Sequence, residues 1–325
     1  MGVTRARAIG WGHYLPERVL TNDDFAERLD TSDEWIASRT GIRRRHIAAD
    51  GEATSDLALA AGRAALANAG IGAEDLDAII VATATPDQTF PATATRVQHA
   101  IGMTGGFAFD VQAVCAGFVF ALATANGLIL SGQARRVMVV GAETFSRILD
   151  WEDRATCVLF GDGAGALILE AGDGEGTPAD RGLLATCLHS DGTYNRILHV
   201  SGGPSTTGQA GVLRMEGREV FRHAVVKLAE VADEVMEKAG VAASEIDWIV
   251  PHQANLRIIE STARKAGISM DRVVVTVQDH GNTSAASIPL ALSVAVGDGR
   301  IRPGDLMLME GIGGGLAWGA ALLRW

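Results

Sequence analysis

The 325-residue chain has only three cysteines, Cys115, Cys157 and Cys187. They form neither a CxxC pair nor a close metal-ligand cluster, and an odd, sparse set of thiols points to a reducing, cytoplasmic setting. Aromatics are scarce at 5%, whereas alanine and glycine are abundant, as in tightly packed helix-on-sheet architectures. No basic run of the kind nucleic-acid binding needs is present, and the net charge is −11. The opening Met1-Gly-Val-Thr-Arg-Ala-Arg lacks the apolar core of a signal peptide. One long apolar run exists, Val111–Leu130, but Gln112 and Asn126 interrupt it and no second such run follows. It predicts a buried helix, not a membrane span. No metal, flavin or nicotinamide site is visible, so no cofactor and no metal are expected. A content of 47% hydrophobic and 21% charged residues suits a globular protein large enough for two packed units.

Two such units are legible as a repeat. Ala61 to Val81 reads as helix, glycine stop at Gly70, turn, then a strand opened by Asp77; Val231 to Val250 reads the same way around Gly240 and Asp247. Both offsets are 170 residues. Two apolar helices, Cys115 to Gly132 and Ser284 to Gly299, form a second pair, each followed by an apolar strand. A third pair is Gly163-Ala-Gly-Ala-Leu-Ile-Leu and Gly319-Ala-Ala-Leu-Leu-Arg. Matching strand–helix order predicts a duplicated α/β fold with residues 1–171 and 172–325 as its halves, joined by the glycine-rich, acidic link Ala171–Asp180. In such a pseudo-twofold fold the loops at the strand ends of both halves converge on one site.

Cys115 begins the first central helix, in Asp110-Val-Gln-Ala-Val-Cys115-Ala-Gly-Phe. A helix N-terminus carries about half a positive charge and unpaired N–H groups. Both stabilise a thiolate, which predicts a thiol below the roughly 8.5 of free cysteine. The alternative is a small buried hydrophobe, as most free cysteines are. His252 follows the strand Trp248-Ile-Val-Pro251, and Asn282 stands in Asp279-His280-Gly281-Asn282-Thr-Ser284, before the second central helix. Each alone reads as a structural polar residue; three at convergent termini read as a site.

These strings resemble β-ketoacyl-acyl-carrier-protein synthase III, the initiating condensing enzyme of type II fatty-acid synthesis in the thiolase superfamily. The resemblance is carried by Thr31-Ser-Asp-Glu-Trp-Ile-Ala-Ser-Arg-Thr-Gly-Ile, Phe109-Asp-Val-Gln-Ala-Val-Cys-Ala-Gly-Phe, Leu159-Phe-Gly-Asp-Gly-Ala-Gly-Ala, Pro251-His-Gln-Ala-Asn-Leu-Arg, Gly281-Asn-Thr-Ser-Ala-Ala-Ser-Ile-Pro and Gly311-Ile-Gly-Gly-Gly-Leu-Ala-Trp-Gly. It runs essentially end to end. It implies a thiolase-like α/β fold of layered αβαβα architecture, and an acyltransferase that condenses an acyl-CoA, first of all acetyl-CoA, with malonyl-acyl carrier protein. The products would be 3-oxoacyl-acyl carrier protein, CoA and carbon dioxide, with acyl-CoA a substrate rather than a cofactor.

The resemblance also implies roles. Cys115 would carry the acyl group, and its N–H with that of Gly314 would form the oxyanion hole. His252 and Asn282 would stabilise the enolate left by decarboxylation. Trp35 and Arg154 match positions that sandwich the adenine of CoA, and Arg39 a phosphate contact. Phe90 matches a residue reaching from the partner subunit into the acyl pocket, which implies a homodimer. Arg222, Arg257, Arg264 and Lys265 match a surface that docks the acidic carrier protein, where a local basic patch must outweigh the chain's own negative charge. The triad separates this pattern from the elongating synthases, with a second histidine, and from the thiolases, with a second cysteine.

Other readings compete. A dinucleotide site at Gly161-Asp-Gly-Ala-Gly or Gly311-Ile-Gly-Gly-Gly fails, because neither run opens a helix after a first strand. A cysteine hydrolase is disfavoured by the repeat and by the lack of a protease string around Cys115. The remaining alternative is a thiolase-fold acyltransferase or condensing enzyme of a secondary-metabolite pathway with a different acceptor. Asn282 favours decarboxylative condensation, because simple acyl transfer needs no enolate donor.

Overall fold

The 170-residue repeat becomes two mixed sheets with matching hydrogen-bond registers. The computed structural model describes residues 2–325, so Met1, the first residue of the expected first half, lies outside the described residues. Strands and helices follow in chain order as β1 (Val3–Tyr14), β2 (Arg18–Thr21), α1 (Asn22–Ala26), α2 (Asp33–Thr40), β3 (Arg44–Ile47), α3 (Thr54–Ala69), β4 (Ala78–Ala82), α4 (Thr93–Ile101), β5 (Phe107–Val111), α5 (Gly117–Leu130), β6 (Arg136–Glu143) and β7 (Gly163–Gly174). The second half continues with β8 (Gly182–Ser190), β9 (Leu198–Val200), β10 (Leu213–Met215), α6 (Gly217–Ala239), β11 (Trp248–Pro251), α7 (Leu256–Lys265), α8 (Val277–His280), α9 (Ser287–Gly297), β12 (Leu306–Gly313) and β13 (Ala317–Arg324). One sheet has the order β1-β7-β6-β4-β5, the other β11-β12-β13-β8.

The correspondence holds residue by residue. Ala78 pairs with Val137 in the first sheet, and Trp248 with Met307 in the second, both parallel. The Asp77 carboxylate accepts from the N–H of Arg136 at 2.8 Å, and the Asp247 carboxylate from that of Leu306 at 2.8 Å. Helices α3 and α6 both end on a left-handed glycine, Gly70 and Gly240, with φ of 69° and 68°. The first sheet keeps β5 as an edge strand, whereas its counterpart shrinks to the single parallel bridge Ile249–Val273.

Packing arranges these elements in five layers. Helices α5 and α9 lie between the sheets, where Phe118, Leu122, Ile288 and Leu292 share one core with Val139 and Met309. Leu57, Ala61 and Val97 of α3 and α4 cover the outer face of the first sheet, and Val231, Val235 and Ile259 of α6 and α7 cover that of the second. This is the expected αβαβα arrangement. A helix apolar all round belongs between two apolar faces, which explains the composition of Val111–Leu130. Among the described residues no helix is long and apolar enough to cross a membrane.

The boundary needs correction. The expected break after Ala171 falls inside β7, because Gly172, Asp173 and Gly174 still pair with Arg5, Thr4 and Val3 of β1. The chain changes sheets in the turn over 175–181, where the Asp180 carboxylate accepts the N–H groups of Glu175 and Gly176, both at 2.9 Å. Glycine and acidic residues marked a turn correctly, but strand pairing decides where it begins.

Candidate active site

The site forms where the N-terminal turns of α5 and α9 meet. Each helix is preceded by one tight turn, over Val114–Ala116 and Ser284–Ala286. Val114 and Ser284 stand 170 residues apart and both have φ of 48°, outside the comfortable range of side-chain-bearing residues. A β-branched valine there is strained by on the order of 1–3 kcal/mol, an expense that persists only where the surroundings enforce it. Such residues cluster at functional sites, and here the next residue is Cys115.

Glycines let the two halves interlock at these turns. A Cβ on Gly141 of β6 would lie 2.2 Å from the carbonyl oxygen of Ala285, and one on Gly311 of β12 would lie 2.9 Å from that of Cys115. These are pseudo-symmetric contacts, each pressing a helix start against the opposite sheet. Gly313 is close as well: its Cβ would stand 2.7 Å from the Cys115 nitrogen. A side chain there would fill the space in front of that N–H. Gly314, the expected oxyanion partner, lines with Val114, Gln112, Phe145 and Leu198 a cavity of about 1080 Å³.

Cys115, His252 and Asn282 are buried, at 4%, 5% and 6% exposed, and none of the three lines that cavity, whose wall is formed by Val114, next to Cys115, and by Gly314. The Cys115 thiol donates to Ser284 Oγ at 3.6 Å. The Ser284 N–H donates to Asn282 Oδ1 at 2.9 Å. That bond fixes which way the Asn282 amide points and leaves its Nδ2 as the free donor. The backbone N–H of His252 donates to the carbonyl of Glu310 at 2.8 Å, and Gly311 beside it abuts the Cys115 carbonyl. The triad is therefore linked through Ser284 on one side and the Glu310–Gly311 segment on the other. The matching positions of the opposite half carry Ala285 for Cys115, Gln112 for Asn282 and Ala82 for His252. The duplication has kept the frame and changed the chemistry.

One expectation is reversed. Burial pushes the Cys115 thiol up to about 12, although the Ser284 hydrogen bond lowers it and the Glu143 charge raises it further. Loss of hydration around the buried sulfur outweighs the hydrogen bond that favours its thiolate. His252 is driven down to about 3 by burial, so its imidazole is neutral. A neutral ring donates one hydrogen bond without adding a buried charge, although Nδ1 has no partner. Glu310, with Oε2 unpartnered, is raised to about 8 by the same burial.

Several supporting residues escaped the sequence reading. Gln253 donates to the carbonyls of Pro251 at 2.9 Å and Val274 at 3.0 Å, and accepts from the N–H of Thr276 at 2.8 Å. It staples the His252 loop to the segment leading to Asn282. Buried Arg45 donates to Asn22 Oδ1 at 2.8 Å and to the Val158 carbonyl, beneath the Phe160–Asn282 bridge. The string Pro251-His-Gln-Ala-Asn held Gln253 in plain view, but nothing local shows what a glutamine will reach across 21 residues.

The expected coenzyme contacts come together at α2. The guanidinium carbons of Arg39 and Arg154 lie 4.6 and 5.1 Å from the Trp35 ring centroid. Arg154 already stacks on the indole while donating to the Asp30 carbonyl. A purine can enter that sandwich only if Arg154 swings outward. Of the basic residues, Arg257 donates to the Ser38 carbonyl at 2.8 Å and so sits against α2, whereas Arg264 and Lys265 are exposed in the last turn of α7. Arg222 lies on α6 and is paired with Glu219 at 2.5 Å, so part of its charge is already engaged. Phe90 does not line its own chain's cavity; it is 81% exposed.

Comparison with known proteins gives concordant matches. Residues 109–192 match the family model 3-Oxoacyl-[acyl-carrier-protein (ACP)] synthase III, and residues 236–325 match the model of its C-terminal part. A β-ketoacyl-[acyl-carrier-protein] synthase III of Jannaschia sp. is 66% identical over 99% of this chain and 100% of its own. The crystal structure of 3-oxoacyl-(acyl carrier protein) synthase III from Pseudomonas aeruginosa superposes with a TM-score of 0.93 at 45% identity, covering 99% and 98% of the two chains. The priming β-ketosynthase of the R1128 polyketide pathway superposes with a TM-score of 0.92 at 36% identity, covering 100% and 98%.

Proposed function

The chain belongs to the β-ketoacyl-[acyl-carrier-protein] synthase III family, and from that premise we infer how its residues divide the work. The enzyme is an acyltransferase that initiates fatty-acid synthesis by condensing an acyl primer with malonyl-acyl carrier protein. Cys115 takes the acyl group from CoA as a thioester. The N–H groups of Cys115 and Gly314 receive the oxyanion of each tetrahedral intermediate, in the space that Gly313 leaves by having no side chain. His252 and Asn282 Nδ2 donate to the thioester oxygen of the malonyl group as carbon dioxide leaves and the enolate forms. The enolate carbon then displaces Cys115 from the acyl group.

The observation that carries this assignment is the Cys115–Ser284–Asn282 chain of contacts beside the cavity, with a neutral His252 joined to the same strand as Gly311. Neutral donors suit an enolate, which a nearby carboxylate would repel.

The primer we propose is acetyl-CoA. Phe90, exposed on a single chain next to the cavity-lining stretch Pro86–Thr89, would close the acyl pocket of a partner subunit in a homodimer, a role its exposure supports. A homodimer is supported by β5 as well. It pairs on one side only, and Phe107 and Phe109 stack along it with centroids 6.3 Å apart. An apolar edge strand of this kind is normally covered. Trp35, Arg39 and Arg154 would hold the nucleotide end of CoA. The identity of 66% to a synthase III, against 36% to a polyketide-priming enzyme, favours fatty-acid synthesis over a secondary-metabolite pathway.

The test is intact-protein mass spectrometry with a panel of acyl-CoAs, followed by malonyl-acyl carrier protein. Acetyl-CoA is expected to leave the heaviest labelling on Cys115, and the malonyl carrier to discharge it as 3-oxobutanoyl-acyl carrier protein. An adduct that ignores the malonyl carrier would assign a different acceptor, and preferential labelling by longer primers would remove acetyl-CoA as the choice.

Docking of the carrier protein is assigned to the exposed end of α7. Arg257 also braces α2 beside Arg39, so its reversal would disturb both substrates. Arg264→Glu with Lys265→Glu is the cleaner change. It is expected to raise KM for malonyl-acyl carrier protein roughly tenfold at low salt, with little change for acetyl-CoA. An equal rise for both substrates would remove the docking role.

A further inference from the structure

The loop that carries Gly314 is a hairpin turn, and its outer side is gripped by α6. Strands β12 and β13 pair as far as Gly313 with Ala317, so Gly314, Gly315 and Leu316 form the turn between them. Alternate residues of β12 face opposite ways. Gly311 and Gly313 turn toward Cys115, whereas Ile312 turns toward α6. Ile312 and Leu316 share one buried cluster with Ala224 and Leu228 of α6, and Trp318 and Tyr194 pack against it. Leu316 also exchanges two backbone hydrogen bonds with Asp191, at 2.8 and 3.0 Å.

Lys227 is half-buried beside Leu228. Its ammonium lies 3.9 Å from the centroid of the Trp318 indole and 5.6 Å from that of the Tyr194 ring. Tyr194 also lies against His223, one turn earlier on α6, with centroids 4.2 Å apart. His189 pairs with Trp318 across the sheet, stacks on its indole at 5.4 Å and meets Glu234 of α6 at 2.5 Å. Lys238 donates to the Thr186 carbonyl at 3.0 Å. Positions 223, 227, 234 and 238 fall along one face of the helix. Apolar packing is non-directional, so it does not by itself fix where a helix sits along a sheet. These directed contacts do, and those of His223 and Lys227 fall at the glycine turn.

We propose that Lys227, through Trp318 and Tyr194, positions the Gly314 N–H for the oxyanion, an inference that rests on Cys115 being the acylated nucleophile and Gly314 an oxyanion donor. Such a donor works only when it is fixed where charge develops, and a displacement of about 1 Å can cost about 100-fold in rate. The turn has little means of fixing itself, because Gly314 and Gly315 have no side chains to pack. It is held from outside, by the Asp191 backbone at Leu316 and by the Lys227 ammonium on the indole two residues further on. A cation over an aromatic face is a directed contact, and a half-buried one is stronger than one in open water. Lys227 lies on the side of β12 away from Cys115 and lines no part of the large cavity, so it is a positioning residue.

The test is single-turnover acylation over a range of acetyl-CoA concentrations, read by intact mass, in wild type, Lys227→Met, Lys227→Arg and Lys238→Ala, beside thermal unfolding. Lys227→Met keeps the length and apolar stem of the side chain and removes its charge. It is expected to lower the limiting rate about tenfold and leave the half-saturating concentration unchanged, because an oxyanion donor acts in the transition state and not in substrate binding. Lys227→Arg, whose guanidinium also suits an indole face, is expected to recover most of the rate. Lys238→Ala removes a contact of the same helix face farther from the turn. It is expected to acylate at the wild-type rate, even where it lowers the unfolding temperature as much as Lys227→Met does. A wild-type limiting rate in Lys227→Met, or no recovery in Lys227→Arg, would overturn the positioning role. So would an equal loss in Lys238→Ala, which would make the whole face a matter of stability alone. A wild type that takes no acyl group on Cys115 would instead overturn the nucleophile and the positioning role together.

Discussion

Cys115→Ala is expected to accept no acyl group from any acyl-CoA and to lose condensation by about 10⁴-fold or more, as removal of a covalent nucleophile does when its partners act as a unit. The loss cannot be blamed on a damaged fold. The turn that carries Cys115 occurs twice, and its second copy has alanine at the matching position, Ala285, after the same positive-φ residue. Alanine is therefore already accommodated in that backbone. Cys115 is also nearly unexposed, so the change removes one buried sulfur and leaves a small gap. The measurement is intact-mass labelling with acetyl-CoA beside thermal unfolding. A variant that still gains the acetyl mass would place the nucleophile elsewhere, and Cys157 and Cys187, both buried, would be the remaining thiols.

Asn282→Ala is expected to separate the two half-reactions. Acylation of Cys115 persists, while decarboxylation of malonyl-acyl carrier protein falls by about 10²–10³-fold, the usual cost of one preorganised donor. The argument rests on orientation. The Ser284 N–H holds Asn282 Oδ1 at 2.9 Å, so Nδ2 is the end left for the enolate oxygen. Asn282→Asp should be at least as damaging, since it puts a negative charge where negative charge develops. Release of labelled carbon dioxide from malonyl-acyl carrier protein, measured beside the acetyl adduct, distinguishes the steps. Condensation at the wild-type rate in Asn282→Ala would take the enolate role from it. A loss of both steps would show instead that the side chain mainly holds the Ser284 turn in place.

These two residues illustrate what local patterns reveal. Gly70 and Gly240, Asp77 and Asp247, and the apolar runs after Cys115 and Ser284 repeat at fixed spacing. Spacing is a property of the chain, so it needs no coordinates. From it the halves, the buried central helices and the convergence of Cys115, His252 and Asn282 could all be expected. Trp35 and Arg154 could be paired only by resemblance, and the structure adds that their stacking is already closed.

What depended on tertiary structure has one physical cause: desolvation and contact are set by neighbours remote in sequence. The Cys115 thiol reads as lowered from its place at a helix start, a local effect. It is raised because burial between the two halves, with Gly311 and Gly313 nearly 200 residues away packed against its backbone, removes its hydration by more than the Ser284 hydrogen bond offsets. The burial of Glu143 is invisible in Gly141-Ala-Glu-Thr, since the Thr83 and Thr85 hydroxyls that hold its carboxylate lie about 60 residues away. The end of β7 is likewise set by β1, which pairs with it from the far end of the chain. By itself the sequence determined the two α/β halves, their order and the residue types at the site, because periodicity and chemical identity are local. Only the folded chain decided which groups are stripped of water and where the substrate oxygen has room.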